Sequence, residues 1–284
     1  MNKRLITYGR IFRLCGLGRL ARALEPRANV RVTYTHEVLR KDFASFARAV
    51  EYLADVRTIL TPDQFFSLYL EGKACERPSI LFTFDDGLLS SYHAAREILE
   101  PLGARALFFI PTAILDLKTE DAMRRFAAER LYYGGRKATS LAPEEYRFMG
   151  AEQLRDLASR GHVVCPHTHS HVFLTEVRDE ATALRELIEP GRILADLLGQ
   201  EPLAFAFPVG TERQMARFPW ECIRSHYRFC FTALNGVNTP ATDPHRLHRD
   251  CLPPEAPLAY VRSVMRGDFD LYYKLKMSRL DNVT

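Results

Sequence analysis

The sequence predicts an α/β fold in which a largely parallel sheet, closed or nearly closed into a barrel, is covered by helices. First, apolar strand patterns alternate with segments of helical periodicity between about residues 30 and 232. Second, the composition of the 284 residues, 47% hydrophobic and 26% charged, is ordinary for a globular protein. Third, no Pro/Gly/Ser-rich linker divides the chain, so a single domain is expected.

The individual elements follow from local spacing and from residues that begin or end a helix. Runs rich in apolar, β-branched and aromatic residues predict strands over residues 30–34, 79–84, 105–110, 162–165, 203–207 and 228–232. Apolar residues three and four positions apart predict helices over residues 43–53, 62–72, 90–102, 120–131, 150–160, 176–198 and 214–225. Pro62 begins the second of these helices, Gly103 ends the third, and Pro190 is expected to kink or split the sixth.

Residues 112–149 form a long excursion in this alternation. Their pattern is blurred, and residues 120–131 are the only clear helix within them. A segment of this length in a compact domain typically covers a site. We therefore expect a cap-like insertion here, within a domain that spans residues 30–284.

The first 29 residues are expected to form a basic amphipathic arm. Residues 1–27 carry seven Lys and Arg against the single Glu25, a net charge of +6, which leaves −2 for the rest of the chain. The arm would either contact anionic lipid or extend into solvent. Because the remainder is slightly negative, no nucleic-acid partner is expected.

Composition also predicts a compartment. The six cysteines include no Cys-x-x-Cys pair, and the sequence shows neither a signal-peptide pattern nor the ~20 apolar residues that a membrane span needs. These features predict the cytoplasm, with peripheral contact at the inner membrane face if the arm binds lipid.

Two adjacent carboxylates, Asp85 and Asp86, follow the apolar run 79–84. Burying an unpaired carboxylate is costly, so two of them at a strand end indicate a bound cation or a chemical role. Neighbouring side chains of an extended strand face opposite ways, so the two are expected to differ in role. The alternative interpretation is a helix cap, because Asp is common there.

Three histidines, His167, His169 and His171, alternate just beyond the predicted strand 162–165. A helical turn would place His167 and His171 on one side, as for two ligands of one metal, and would point His169 away. The alternative is an exposed polar turn or a histidine bonded to backbone. One carboxylate and two imidazoles are a ligand set of open catalytic zinc sites, in which a second carboxylate can act as the base.

The segment TFDDG at residues 83–87, followed by HTHSH at residues 167–171, resembles the polysaccharide deacetylase (NodB homology) family, carbohydrate esterase family 4. The resemblance extends over about residues 30–250 and includes a third motif, FAFPVG, at residues 205–210. It implies a distorted (β/α) barrel with about seven parallel strands.

The resemblance also implies roles for individual residues. It implies one divalent metal ion, with Zn²⁺ as the leading candidate among divalent transition metals, bound by Asp86, His167 and His171. It also implies Asp85 as the base that takes a proton from the attacking water. The third motif implies a backbone donor for the oxyanion, and Thr168 is expected to support the two histidines by a hydrogen bond. The residues implied for the oxyanion and substrate are Pro208, Val209 and Gly210.

The chain departs from the family pattern in its proton-transfer residues. Ala206 stands where the third motif usually has an arginine that orients the aspartate, and residues 271–284 contain no histidine to act as general acid. His248 and Arg249 are the nearest candidates, and since neighbours on a strand face opposite ways, Arg249 is favoured to point inward. The alternative is a loop with solvated charges.

Together these features predict a metal-dependent hydrolase that removes an N-acyl group from an amino sugar of a glycan or glycolipid precursor. The acyl group that the family resemblance favours is acetyl. A deformylase or another C–N hydrolase of the same fold is one alternative. A glycan-binding pseudoenzyme is the other, because the usual arginine and late histidine are absent.

Overall fold

A computed structural model of the chain describes residues 29–270 and residue 273. The predicted arm lies outside these residues except for Asn29, and the predicted domain extends beyond them at its C-terminal end. The strands are β1 Val30–Thr35, β2 Thr58–Ile59, β3 Ser79–Phe84, β4 Ala106–Ile110, β5 Val163–Pro166, β6 Ala204–Ala206, β7 Phe229–Phe231 and β8 Asp250–Cys251. The α-helices are α1 Phe43–Val56, α2 Pro62–Leu70, α3 Leu89–Ala94, α4 Glu120–Phe126, α5 Ala151–Ser159, α6 Glu180–Ala183, α7 Glu189–Leu198, α8 Arg217–His226 and α9 Leu258–Met265.

The predicted α/β class is confirmed, and every ladder between the named strands is parallel. One sheet has the order β5-β4-β3-β1-β8, with β2 beside the start of β3, and a second sheet pairs β6 with β7. A parallel bridge between Phe231 and Leu247 connects β7 to the chain entering β8. Within the described residues no ladder joins β5 to β6, so the ring of hydrogen bonds is open at that point.

Side chains of β3 and β4 are buried on both faces, as parallel strands require. Leu81 and Leu107 belong to an inner cluster that also includes residues of β1, β5, β6 and β7. Phe82 and Phe108, one position further along each strand, pack outward with Phe46 of α1. This alternation places a packed core inside the strands and a helical layer outside, the arrangement of a distorted barrel.

The helices agree with the sequence except where local geometry interrupts them. The predicted helix 176–198 is split into α6, a π-helical turn at Leu184–Ile188, and α7. Pro190 lies in the first turn of α7, directly after the π-helical turn, so the interruption falls where the proline predicts it. Gly103 has φ 71° and ends the helical segment that begins with α3, as predicted.

No helix within residues 29–270 is long and apolar enough to cross a membrane. The two-residue strands β2 and β8 were not predicted, because a run that short has no detectable periodicity. β8 matters for the site, since its pairing with β1 brings the end of the fold beside the first strand.

Candidate active site

A cavity of about 300 Å³ opens at the carboxyl ends of the strands. Because the ladders are parallel, residues that follow different strands meet at this one edge. The predicted residues that line the cavity are Asp85, Asp86, His167, His171, Val209 and Arg249.

Asp86 reaches the cavity through an unusual backbone conformation. Its φ of 70° is left-handed, and Gly87 follows with φ 69°. This positive φ favours glycine, and a Cβ at Gly87 would in addition lie 2.5 Å from Ile114 Cδ1, which would have to move. The expectation that Asp85 and Asp86 face opposite ways along an extended strand was therefore wrong, and both carboxylates line the cavity.

The side chains of Asp86, His167 and His171 converge, with one donor atom from each lying within 4.8 Å of the others. Asp86 Oδ1 is 3.6 Å from His167 Nε2 and 3.1 Å from His171 Nε2. This convergence does not come from the helical turn that spacing suggested. The histidines lie on an irregular loop in which Thr168 and His171 have φ of 62° and 57°.

Backbone carbonyls fix the tautomer of both histidines. His167 Nδ1 donates to Ala206 O at 2.7 Å, and His171 Nδ1 donates to Arg130 O at 2.9 Å. Each Nε2 therefore presents a lone pair, and so does Asp86 Oδ1, which is buried without a hydrogen-bond donor among the described residues. Three lone pairs that face one another in a buried site fit a divalent cation held by one oxygen and two nitrogens.

The electrostatics of the site agree with this ligand set. Burial lowers the pKa of His167 to about 4, so the imidazole is neutral near pH 7 and able to bind a metal. Burial alone would raise the pKa of Asp86, but opposing charge interactions, that of His36 first, outweigh burial and hold that pKa well below its usual range. Asp86 is therefore an anion.

Arg249 forms a bidentate ion pair with Asp85. Its Nη1 donates to Asp85 Oδ1 at 2.7 Å and its Nη2 to Asp85 Oδ2 at 2.9 Å. Thr83 Oγ1 and Thr232 O accept further hydrogen bonds from the same guanidinium, and Tyr34 stacks 4.9 Å from it. The structure thus places the favoured candidate, Arg249, against the aspartate that the family's usual arginine would orient.

Three other predicted residues lie elsewhere. His248 does not line the cavity: its Nδ1 bonds to Leu234 O at 3.2 Å, because neighbours on an extended segment face opposite ways and Arg249 takes the inward position. Pro208 and Gly210 flank Val209 without lining the cavity. A Cβ at Gly210 would come within 2.6 Å of Ala233 N, so this glycine allows close backbone packing.

Two further expectations concern Thr168 and His169. Thr168 Oγ1 is buried without a hydrogen-bond partner among the described residues, so the expected bond from its hydroxyl to the histidines is not formed. The Nδ1 atoms of both imidazoles bond to backbone carbonyls instead, while Thr168 itself has a left-handed backbone with φ 62°. His169 points away as predicted, and its Nδ1 bonds to Thr112 Oγ1 at 2.9 Å.

Sequence reasoning missed several residues of the cavity. His36 and Glu37 follow β1, and their position after a strand was the available signal. Burial is the largest cause that raises the pKa of Glu37. The cavity is also lined by Leu131, Tyr132 and Tyr133 of the segment 112–149. The blurred pattern of that segment did not predict which of its side chains would face the site.

Several solved structures share this fold. IcaB from Ammonifex degensii is 22% identical with a TM-score of 0.66, covering 85% of this chain and 97% of that one. A deacetylase of Streptococcus pyogenes, PplD, is 15% identical with a TM-score of 0.63, covering 84% and 99%. The deacetylase domain of BpsB from Bordetella bronchiseptica is 18% identical with a TM-score of 0.59, covering 81% and 98%. At these identities the likeness shows the fold.

Sequence comparison gives the family. No curated protein sequence matches the chain significantly. The family model described as polysaccharide deacetylase matches residues 72–218, just over half of the chain, and includes both carboxylates and both histidines but not Arg249. The chain therefore belongs to the polysaccharide deacetylase family.

Proposed function

We propose that this protein is a metal-dependent hydrolase that removes the N-acetyl group from an amino sugar of a glycan or glycolipid precursor. Membership of the family supports carbohydrate deacetylation. The observation that carries the metal dependence is the convergence of Asp86, His167 and His171 beside the ion-paired Asp85 in one cavity.

The proposed metal, for which Zn²⁺ is the leading candidate, would be bound by Asp86 Oδ1, His167 Nε2 and His171 Nε2. When bound, a divalent cation supplies polarisation of the amide carbonyl and acidification of water. Asp85 would take the proton from the attacking water, since a carboxylate that accepts two bonds from Arg249 keeps further lone pairs. Arg249 keeps Asp85 charged and fixed in orientation.

Two other tasks fall to residues that line the cavity. The backbone N–H of Val209 is the proposed donor to the oxyanion, because Val209 lies at the mouth of the cavity with φ 64° and 39% of its surface exposed. His36 and Glu37 are the histidine and the carboxylate of the lining that neither the ligand set nor the ion pair uses, and we propose that one of them protonates the departing amine.

We also propose roles for the segments outside the barrel. Residues 112–149 act as the cap, because Leu131, Tyr132 and Tyr133 line the cavity from that segment. The charge of +6 on residues 1–27 supports contact with anionic lipid at the inner membrane face in the cytoplasm. Co-sedimentation with anionic vesicles, compared with a chain beginning at Val30, tests this contact, and equal binding of the two forms contradicts it.

The experiment that tests the reaction measures release of acetate and of free amine from N-acetylglucosamine oligomers by zinc-loaded protein. Asp85→Asn should retain the metal and lower kcat by roughly 10²- to 10⁴-fold, the contribution of a general base. Formate release from an N-formyl analogue, without acetate release, would identify a deformylase. Binding of the oligomers with no release of either acid would identify a pseudoenzyme.

A further inference from the structure

The loop that carries both histidines, residues 167–171, contains two left-handed residues that are not glycine. Thr168 has φ 62° and His171 has φ 57°. Such conformations are unfavourable for residues with a Cβ and persist only where the surroundings hold them in place. The position of His171 Nε2 therefore depends on contacts made outside the loop itself.

Glu186, in the π-helical turn Leu184–Ile188, provides these contacts on one side. Its carboxylate accepts Ser170 N at 2.9 Å and Ser170 Oγ at 3.0 Å. Its main-chain carbonyl accepts His169 N at 3.0 Å. One residue thus holds the two residues that directly precede the ligand His171.

The carboxylate of Glu186 is buried, with 2% of the residue exposed. A buried charge is retained only where hydrogen bonds compensate its lost hydration. The serine supplies two of these bonds, and Arg185 Nε supplies another at 3.1 Å. The proposed reaction uses no part of this group, so its burial indicates a role in holding the loop.

The opposite side of the loop is tied to the end of β4. His169 Nδ1 bonds to Thr112 Oγ1 at 2.9 Å, and Ala113 N donates to His169 O at 2.9 Å. The loop is therefore held between the turn that follows β4 and the π-helical turn that carries Glu186. On the second side the Glu186 carboxylate bonds to Ser170, the residue that precedes the proposed metal ligand His171.

We propose that Glu186 is a positioning residue of the metal site, which fixes His171 through Ser170. The inference rests on the metal site proposed above. Groups that orient metal ligands typically change metal affinity by about 10- to 100-fold when they are removed. Glu186→Gln keeps an acceptor oxygen but loses the charge, so it should weaken Zn²⁺ binding by at least about tenfold, and Glu186→Ala by more.

The test measures Zn²⁺ affinity of the full chain by competition with a chelator, and the visible spectrum of the Co²⁺-loaded protein, which reports ligand geometry. Glu189→Gln is the matched control, because it makes the same substitution three residues further along the chain. The Glu189 side chain is partly exposed and pairs with Arg192. We expect an unchanged Zn²⁺ affinity and Co²⁺ spectrum for this control. Glu186→Gln should change both, while Glu186→Asp, charged but shorter, should recover part of the affinity.

A Zn²⁺ affinity of Glu186→Gln within twofold of wild type would overturn the proposal, even if the variant melts at a lower temperature. Should Glu186→Gln not fold, Ser170→Ala removes the hydroxyl bond while leaving the carboxylate in place, and unchanged affinity in that variant counts equally against the proposal. Wild-type protein that binds Zn²⁺ but releases no acetate would contradict the reaction and leave this test intact. Wild-type protein that binds no Zn²⁺ would contradict both.

Discussion

Arg249→Lys changes the ion pair with Asp85 while keeping the positive charge. The guanidinium makes two hydrogen bonds to the carboxylate, at 2.7 and 2.9 Å, and the side chains are 1% and 4% exposed. An ammonium replaces this planar fork by a single contact, so one charge-assisted bond of about 1.5–3 kcal/mol is lost. At about 1.4 kcal/mol for each factor of ten, kcat should fall roughly 10- to 150-fold.

The assay compares kcat for acetate release, zinc content and the free energy of unfolding in wild type and in Arg249→Lys. Zinc content should stay at the wild-type level, because Arg249 contacts none of the three proposed ligands. Arg217→Lys is the control, since that guanidinium is 77% exposed and pairs with Glu221. A kcat within threefold of wild type in Arg249→Lys, with the zinc retained, would refute the role given to this ion pair.

Three further predictions test the ligand set, the cavity mouth and a buried histidine. His167→Ala should sharply lower zinc content, because two protein ligands remain, and full occupancy in the variant would contradict the assignment. Tyr133→Ala should raise KM for the oligomers about two- to tenfold, since Tyr133 lines the cavity and the residue is 47% exposed, whereas Tyr133→Phe should not. Burial lowers the pKa of His162 to about 4 despite the opposing charge of Glu100. Between pH 6.5 and 4 the unfolded chain therefore binds a proton at this histidine that the folded chain does not. The free energy of unfolding should fall by up to about 3 kcal/mol as the pH is lowered through this range. Chemical unfolding across this range should show a shallower decline for His162→Gln.

The order of strands and helices was predictable because periodicity, proline and glycine act within a few residues. The same local information placed the carboxylates after β3 and the histidines after β5, at one edge of the sheet. It did not predict the backbone conformation there. Asp86 and His171 are left-handed, and although Asp and His adopt this conformation more often than most residues, they do so in too few cases for the residue type to predict it.

The sequence alone therefore determined the fold class, the strand ends that carry polar groups, and a short set of candidates for each role. Only the tertiary structure decided between His248 and Arg249, because the choice depends on which side chain faces inward once β8 pairs with β1. Asp85 and Arg249 are 164 positions apart, so no local pattern can encode their contact. Likewise His36, Glu37 and the tyrosines of segment 112–149 join the cavity only when the barrel brings distant strand ends to one place.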